Sequence, residues 1–478
     1  MKKILKKISL FTLLITQGLL PACSAGAKTV RETSNTILKE TPQIRARASL
    51  SQSKILQGSD GVVYLQIDLD APEYSRGFVS QRRPTDFVVV LDRSGSMSAA
   101  NKMEYAHQAL QTLVQQLSPE DRFGLVSFDD TAEVHHYLSP VSAVEKAQLQ
   151  QKIWAINPRG NTNISAGLSS ALQMIRENNS PYRSERILLI SDGLANRGIV
   201  NPEALANLVS PQSVYGYGPQ EQGMFSLSSI GVGLDFNEYL LSNLADHGRG
   251  SYHYLQNPSG MYNILSEEFR VASSIYASNL QLQIDLPPDI SLLDASGYPI
   301  SREGNHYTVQ PGHLYNGQKK VIYLSLGLPN SYTYPSRPIG NMALSFYVQG
   351  IFYQTPLINS DLYVACLHPS QRYEAEESIN KKVYEDSWTK NNYGRALQES
   401  AKKISEGNPQ GAYKVIQDYK SKVSEANAAA PSSALAGQMN AADKIKSDMD
   451  KAYGSGKPAE SLNSLGKGLH YEGIQQQR

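Results

Sequence analysis

The sequence predicts a doubly wound α/β domain inserted in a discontinuous β-sandwich and followed by a C-terminal α-helical region. Three observations lead there. Between 85 and 271, strands apolar along their length, such as Phe87–Asp92 (FVVVLD), alternate with amphipathic helical stripes. A parallel sheet covered on both faces needs that texture. On either side of this block, apolar residues alternate strictly with polar ones, which suits antiparallel strands with one wet face. From His368 the chain turns charged and helical. At 478 residues it exceeds what one core ordinarily serves, so several domains are expected.

The elements follow in order. Lysines 2, 3, 6 and 7 precede a short apolar run from Ile8 to Leu20, then Pro21-Ala22-Cys23. Charge, run length and the small residue before the cysteine fit a signal peptide over 1–22. Leu20-Pro21-Ala22-Cys23 resembles a bacterial lipobox, which implies that Cys23 is acylated, palmitate included, and anchors an exported protein to the cell envelope. Ser24 after it favours the outer membrane, where the host has one. Residues 23–46 read as the lipidated cysteine and a flexible polar tether. Residues 47–84 hold the first part of the sandwich, with Val63, Leu65, Ile67 and Leu69 on one strand face. That strand has no partner nearby, so it must pair with the strands of 272–367, whose first shows Leu280, Leu282, Ile284 and Leu286 in alternation. Cys366, in DLYVACL, is expected to fill a core position as a small hydrophobe. No stretch beyond the leader approaches about 18 continuous apolar residues.

Within 85–271, helices are expected from Met103 to Leu117, over 144–156 and 164–175, and near 237–245. In 368–478, Leu397, Ala401 and Ile404 form one stripe; Ala412, Val415, Ile416, Tyr419 and Val423 form another after Gly407-Asn408-Pro409. The two suggest a helical hairpin. SEANAAAPSSALAG reads as a linker, and the segment from Gly456 as a last docked helix.

Asp92 closes the most apolar strand, which puts a carboxylate at the rim where open sheets bind ligands. Ser94 and Ser96, alternate residues of the next turn, aim hydroxyls at the same point. Thr162, in PRGNTNISAGL, and Asp192, after RILLIS, belong to the same rim. Two carboxylates and three hydroxyls, without His or Cys, make a hard-oxygen set. Such a set suits Mg²⁺ first, with Mn²⁺ or Ca²⁺ as alternatives, and not zinc. Two carboxylates only balance a divalent charge, so an ion there stays electrophilic and can take an acidic side chain from outside.

Asp92-x-Ser94-x-Ser96, Thr162 in Gly160-Asn161-Thr162-Asn163, and Asp192 in Ser191-Asp192-Gly193, in that order, resemble the metal-ion-dependent adhesion site of the von Willebrand factor A domain. In that family the two serines bind the ion directly, and the Thr and Asp bind it directly or through water. The resemblance covers 85–271 and implies a Rossmann-like fold. The whole layout is similar to bacterial proteins related to calcium-activated chloride channel regulators and inter-alpha-trypsin inhibitor heavy chains. Two departures stand out: Asn161 replaces a frequent second Gly, and 211–225 is longer and richer in Gly and Tyr than usual.

Lys and Arg number 45 against 44 Asp and Glu, which gives no basic face for nucleic acid. Ser94 stands where a phosphotransfer site has its second acid, RSGSM is not a Gly-x-Ser-x-Gly elbow, and His-Glu-x-x-His does not occur. For a hydrolase using the ion as Lewis acid, no candidate general base accompanies the site in sequence. His135-His136 is expected to be an ordinary strand pair. The expected role is therefore non-enzymatic: adhesion to a protein or extracellular-matrix ligand whose acidic residue completes the metal shell. The alternative is an envelope scaffold that works through its helical tail and sandwich, with the metal structural only.

Overall fold

The computed structural model describes residues 36–40, 44–72, 83–180, 182–210, 224–348, 350–429 and 432–478. The expected signal peptide, Cys23 and the Gly- and Tyr-rich stretch 211–223 lie outside the described residues. Four strands come first: β1 Thr36–Glu40, β2 Arg45–Leu50, β3 Lys54–Leu56 and β4 Val62–Asp70. The α/β domain then opens with β5 Thr85–Asp92, α1 Lys102–Gln116, β6 Arg122–Phe128 and β7 Ala132–Pro140. Next come α2 Ala143–Trp154, α3 Ile164–Asn178, β8 Ser184–Ser191 and α4 Pro202–Leu208. It closes with β9 Met224–Val232, α5 Glu238–His247, β10 Arg249–Leu255 and α6 Met261–Ala272.

Its sheet runs β10-β9-β8-β5-β6-β7. Every residue of β5 and of β8 is buried. Alternate side chains of β5 serve two cores: Val88 and Val90 pack with Leu168 and Leu244 on one face. Phe87, Val89 and Leu91 pack with Leu110 and Leu265 on the other. Burial on both faces is why FVVVLD shows no alternation. One expectation needs correcting. The sheet is not wholly parallel, because β7 runs antiparallel to β6 at the edge, where a short loop returns the chain directly.

The sandwich strands are β11 Ile275–Asp285, β12 Ser291–Ala295, β13 Ile300–Glu303, β14 His306–Tyr315, β15 Lys319–Gly327, β16 Tyr334–Pro338, β17 Asn341–Val348, β18 Ile351–Asn359 and β19 Tyr363–Leu367. They form sheets β1-β2-β4-β15-β12 and β13-β14-β11-β17-β18, with a small third sheet β16-β19-β3. The early strand finds its partner late in the chain: β4 pairs antiparallel with β15 from Val62↔Gly327 to Asp70↔Lys319. Leu65 and Ile67 share one core with Leu282, Leu324 and Leu344, so the α/β domain is an insertion between halves of the sandwich. Cys366 is a buried free thiol in that core. Within 23–46, read as a tether, Thr36–Glu40 pairs antiparallel with β2, so these residues belong to a sandwich sheet.

The helical region holds α7 Arg372–Glu377, α8 Lys381–Ser405, α9 Pro409–Ala429, α10 Ser433–Tyr453 and α11 Pro458–Gln477. Leu397, Ala401 and Ile404 meet Ala412, Ile416, Tyr419 and Val423 in one core. The stretch read as a linker is mostly helix, since its alanines are strong helix formers and Ser432 caps α10 by accepting the Leu435 N–H at 3.0 Å. Helix α11 returns along α8 at close range: a Cβ on Gly394 would lie 2.7 Å from Gly473 O. It also reaches the α/β domain, where Ile474 joins the core of α3 and α5. Among the described residues, no helix is long and apolar enough to cross a membrane.

Candidate metal centre

Strands β5 and β8 lie side by side with Leu91 opposite Ile190. Asp92 at the end of β5 and Asp192 just after β8 therefore reach the same rim, and both are fully buried. The Ser94 N–H donates to Asp92 Oδ1 at 2.8 Å, an Asx turn that bends the chain out of the strand. Ser94 Oγ and Ser96 Oγ stand 3.1 Å apart, and Ser96 Oγ donates to Asp192 Oδ1 at 2.7 Å.

Thr162 comes in from the opposite loop. The Gly95 N–H donates to Gly160 O at 3.2 Å, and the Asn163 N–H donates to Asp129 O at 2.8 Å. Asn163 then caps α3 through the Ala166 N–H at 3.1 Å. Asn196 Oδ1 accepts the Thr162 N–H at 2.9 Å, while the Asn196 N–H donates back to Thr162 O at 3.1 Å. A Cβ added to Gly193 would meet Thr162 Oγ1 at 2.9 Å and Asp92 Oδ2 at 3.6 Å, so both oxygens flank that glycine. The structure thus brings Asp92, Ser94, Ser96, Thr162 and Asp192 to one rim. Ser96 is the exposed member.

Electrostatics separate the two acids. Burial pushes the Asp92 carboxyl up to about 6, against the hydrogen bonds from Ser191 and Ser94 that pull it down; the Asp192 charge adds a smaller upward push. Asp192 instead has a cation beside it, Lys102 Nζ, which donates to Oδ2 at 2.5 Å. Among the described residues, no three or more of His, Cys, Asp and Glu gather to hold an ion, so a cation at this rim would rely on hydroxyls too. A buried carboxylate disfavoured by its burial, neutral hydroxyls and a glycine that leaves space beside them fit a hard divalent cation.

Several contributors had no motif to announce them. Ser191 Oγ donates to Asp92 Oδ2 at 2.6 Å. Arg93 Nε and Arg159 Nε both donate to Asp129 Oδ2, at 3.0 and 2.6 Å, which pins the Thr162 loop to the turn after β5. Lys102 sits at the start of α1, after Ala100 and Asn101 with φ of 52° and 56°. Those two left-handed residues turn the helix entry back toward the rim, which no local pattern predicts. Asn161 is engaged elsewhere, donating to Asp130 Oδ1 at 2.7 Å. His135 and His136 make ordinary strand contacts, with Ser127 Oγ at 2.7 Å and Phe123 O at 2.9 Å.

A family model described as the von Willebrand factor type A domain matches residues 87–194, from within β5 to just past Asp192. Residues 87–194 carry a von Willebrand factor type A (VWA) domain. The chain is similar to the uncharacterized protein YfbK of Escherichia coli, 29% identical over 205 residues, covering 43% of this chain and 34% of YfbK. Human inter-alpha-trypsin inhibitor heavy chain H4 is 31% identical over 172 residues, covering 34% of this chain and 18% of H4. The match thus spans about a third of YfbK and less than a fifth of H4. A von Willebrand factor type A structure from Catenulispora acidiphila superposes over 91% of this chain and 98% of its own, with TM-score 0.66 and 16% identity. Its coverage shows that the fold extends through the sandwich and helices as well as the VWA domain.

Proposed function

We propose that the VWA domain binds a divalent cation, Mg²⁺ before Mn²⁺ or Ca²⁺, through Asp92, Ser94, Ser96, Thr162 and Asp192. The bound cation supplies positive charge for an acidic residue of a protein or extracellular-matrix partner, and lipid on Cys23 holds the chain at the envelope. The protein acts as an adhesion module and not as an enzyme. The observation that carries this reading is the contact of Ser96 Oγ, on an exposed residue, with both Ser94 Oγ and Asp192 Oδ1.

The chain's own residues have distinct parts in it. Asp92 fixes the Ser94 turn through its N–H, and Ser191 holds the second Asp92 oxygen in place. Asn196 holds the Thr162 backbone from both sides. The rim is also adhesive in composition. Leu194, Ile199, Val200 and Tyr239 are exposed apolar side chains on segments beside Asp192 and the α5 entry. Exposed apolar residues next to a charged anchor are a usual makeup for recognition surfaces.

Isothermal titration of the exported chain with MgCl₂ tests the first half. Heat and saturation are expected for the wild type and their loss for Asp92→Ala. Capture of partners from native envelope fractions, with Mg²⁺ against EDTA, tests the second half. Capture that EDTA or Asp192→Ala leaves unchanged would refute adhesion through the ion. It would favour the scaffold reading, which requires contacts on the sandwich or tail.

A further inference from the structure

The rim holds a cation of its own. Lys102 is buried, donates through Nζ to Asp192 Oδ2 at 2.5 Å, and lies 3.8 Å from Asp235 Oδ2. Asp192 is thereby shared: Ser96 Oγ takes Oδ1, and the ammonium takes Oδ2. Of the two acids only Asp192 faces the ammonium, and Asp235, on a largely exposed side chain, is the second acid within its reach.

The segment bearing Asp235 is fixed from two directions. Gly233, with φ of 80°, lies against Lys102: a Cβ there would meet Lys102 Cε at 3.0 Å and Nζ at 3.3 Å. Helix α11 grips the same segment. Asn463 Nδ2 donates to Leu234 O at 3.0 Å, and Lys467 Nζ donates to Phe236 O and Glu238 Oε2, each at 2.6 Å. Lys467 Nζ also sits 4.1 Å from the Phe236 ring centroid. The tail helix thus fixes where Asp235 stands relative to Lys102.

We propose that Lys102 is an internal competitor of the divalent cation for Asp192, and that Asp235 is the acceptor that takes Lys102 when the cation binds. This inference rests on the metal-binding reading above. A divalent charge and an ammonium cannot both use the Asp192 carboxylate at close range without strong repulsion, because like charges a few ångströms apart in a buried site are poorly screened. With Lys102 on Asp192, the protein without metal keeps its two buried acids tolerable, and the affinity for the ion is held down. Handing Lys102 to Asp235 ties that affinity to a segment that the C-terminal helix holds in place.

The test is MgCl₂ titration calorimetry and thermal melting of the full chain as wild type, Lys102→Met, Asp235→Asn and the double variant. Lys102→Met is expected to lower the melting temperature in EDTA and to tighten Mg²⁺ binding at least tenfold. A merely structural lysine would lower the melting temperature without tightening binding. Asp235→Asn is expected to weaken binding severalfold in the wild type and to have no effect in the Lys102→Met background. Loss of a general negative field would weaken binding in both backgrounds. Lys102→Met binding no tighter than wild type, or an Asp235→Asn effect that persists in the double variant, overturns the proposal while leaving the metal site standing. Absence of Mg²⁺ binding in the wild type and in all variants overturns both.

Discussion

Ser191 donates its hydroxyl to Asp92 Oδ2 at 2.6 Å across the parallel pair β8 and β5, with both residues fully buried. The bond occupies the Asp92 oxygen that faces away from the Ser94 turn, and so keeps the carboxylate aimed along the rim.

Ser191→Ala should therefore cost more than an average surface hydroxyl. A buried hydrogen bond to a charged group contributes roughly 1.5–3 kcal/mol, and its loss leaves Oδ2 without its donor. Urea unfolding in EDTA should show a loss of about 2 kcal/mol. A loss below about 0.5 kcal/mol would mean that water replaces the hydroxyl freely.

Gly193→Ala should separate site from fold. The added methyl would sit 2.9 Å from Thr162 Oγ1, too close for a real contact, so the threonine must shift. Thr162 is a loop residue and the β8 core is untouched, so melting in EDTA should change by only a few degrees. Mg²⁺ affinity should fall at least tenfold. Unchanged affinity would remove Thr162 from the set of ligands.

At the opposite end of the sheet, Glu268 on α6 meets Arg186 at 3.1 Å and His253 at 2.7 Å. Burial, the largest influence on its carboxyl, acts to raise it, but Arg186 and His253 together outweigh burial and hold it down at about 2. A lowered carboxyl contributes stability that is complete above its ordinary value of 4.5 and is lost as pH falls through about 2. Unfolding measured between pH 6 and 2 should show this contribution flat down to about 4.5 and declining below it, and Glu268→Gln should flatten the decline. Equal slopes for the two proteins would show that the carboxylate does not couple to folding there.

Lys467→Met should loosen α11 from the VWA domain. It strands Glu238, whose side chain is 18% exposed, and removes the donor to Phe236 O. Breaking a buried ion pair costs about 3–5 kcal/mol, and partial exposure of Glu238 reduces this to about 2–3 kcal/mol. Hydrogen exchange should quicken over 233–238 and along α11. Protection unchanged in both segments would show that apolar packing alone holds the helix.

Much of this was legible in the chain. Asp92, Ser94 and Ser96 are contiguous, and the apolar runs before Asp92 and Asp192 announce the strands that deliver them to one rim. The partner of β4 was legible too, because an alternating strand with no neighbour must find one elsewhere. Lys102, Asp235 and Asn196 were not legible, since each acts across the fold and none belongs to a local period. The strand through His135 and His136 was legible, but its antiparallel direction was not, because partly buried side chains at a sheet edge do not say which way a strand runs. The alanine-rich stretch 424–437, which covers the end of α9 and the start of α10, reads as a linker because low complexity hides helix propensity.

The insertion of the α/β domain also decides how a load would travel. Its two connections lead into β4 and β11, and each of these is the middle strand of a five-stranded sheet. A tug on the rim is therefore divided between two interior strands in opposite walls of the sandwich, each laced to neighbours on both sides. Neither offers a loose border from which a sheet could be unzipped, so the pull meets strand paired on both flanks at each junction.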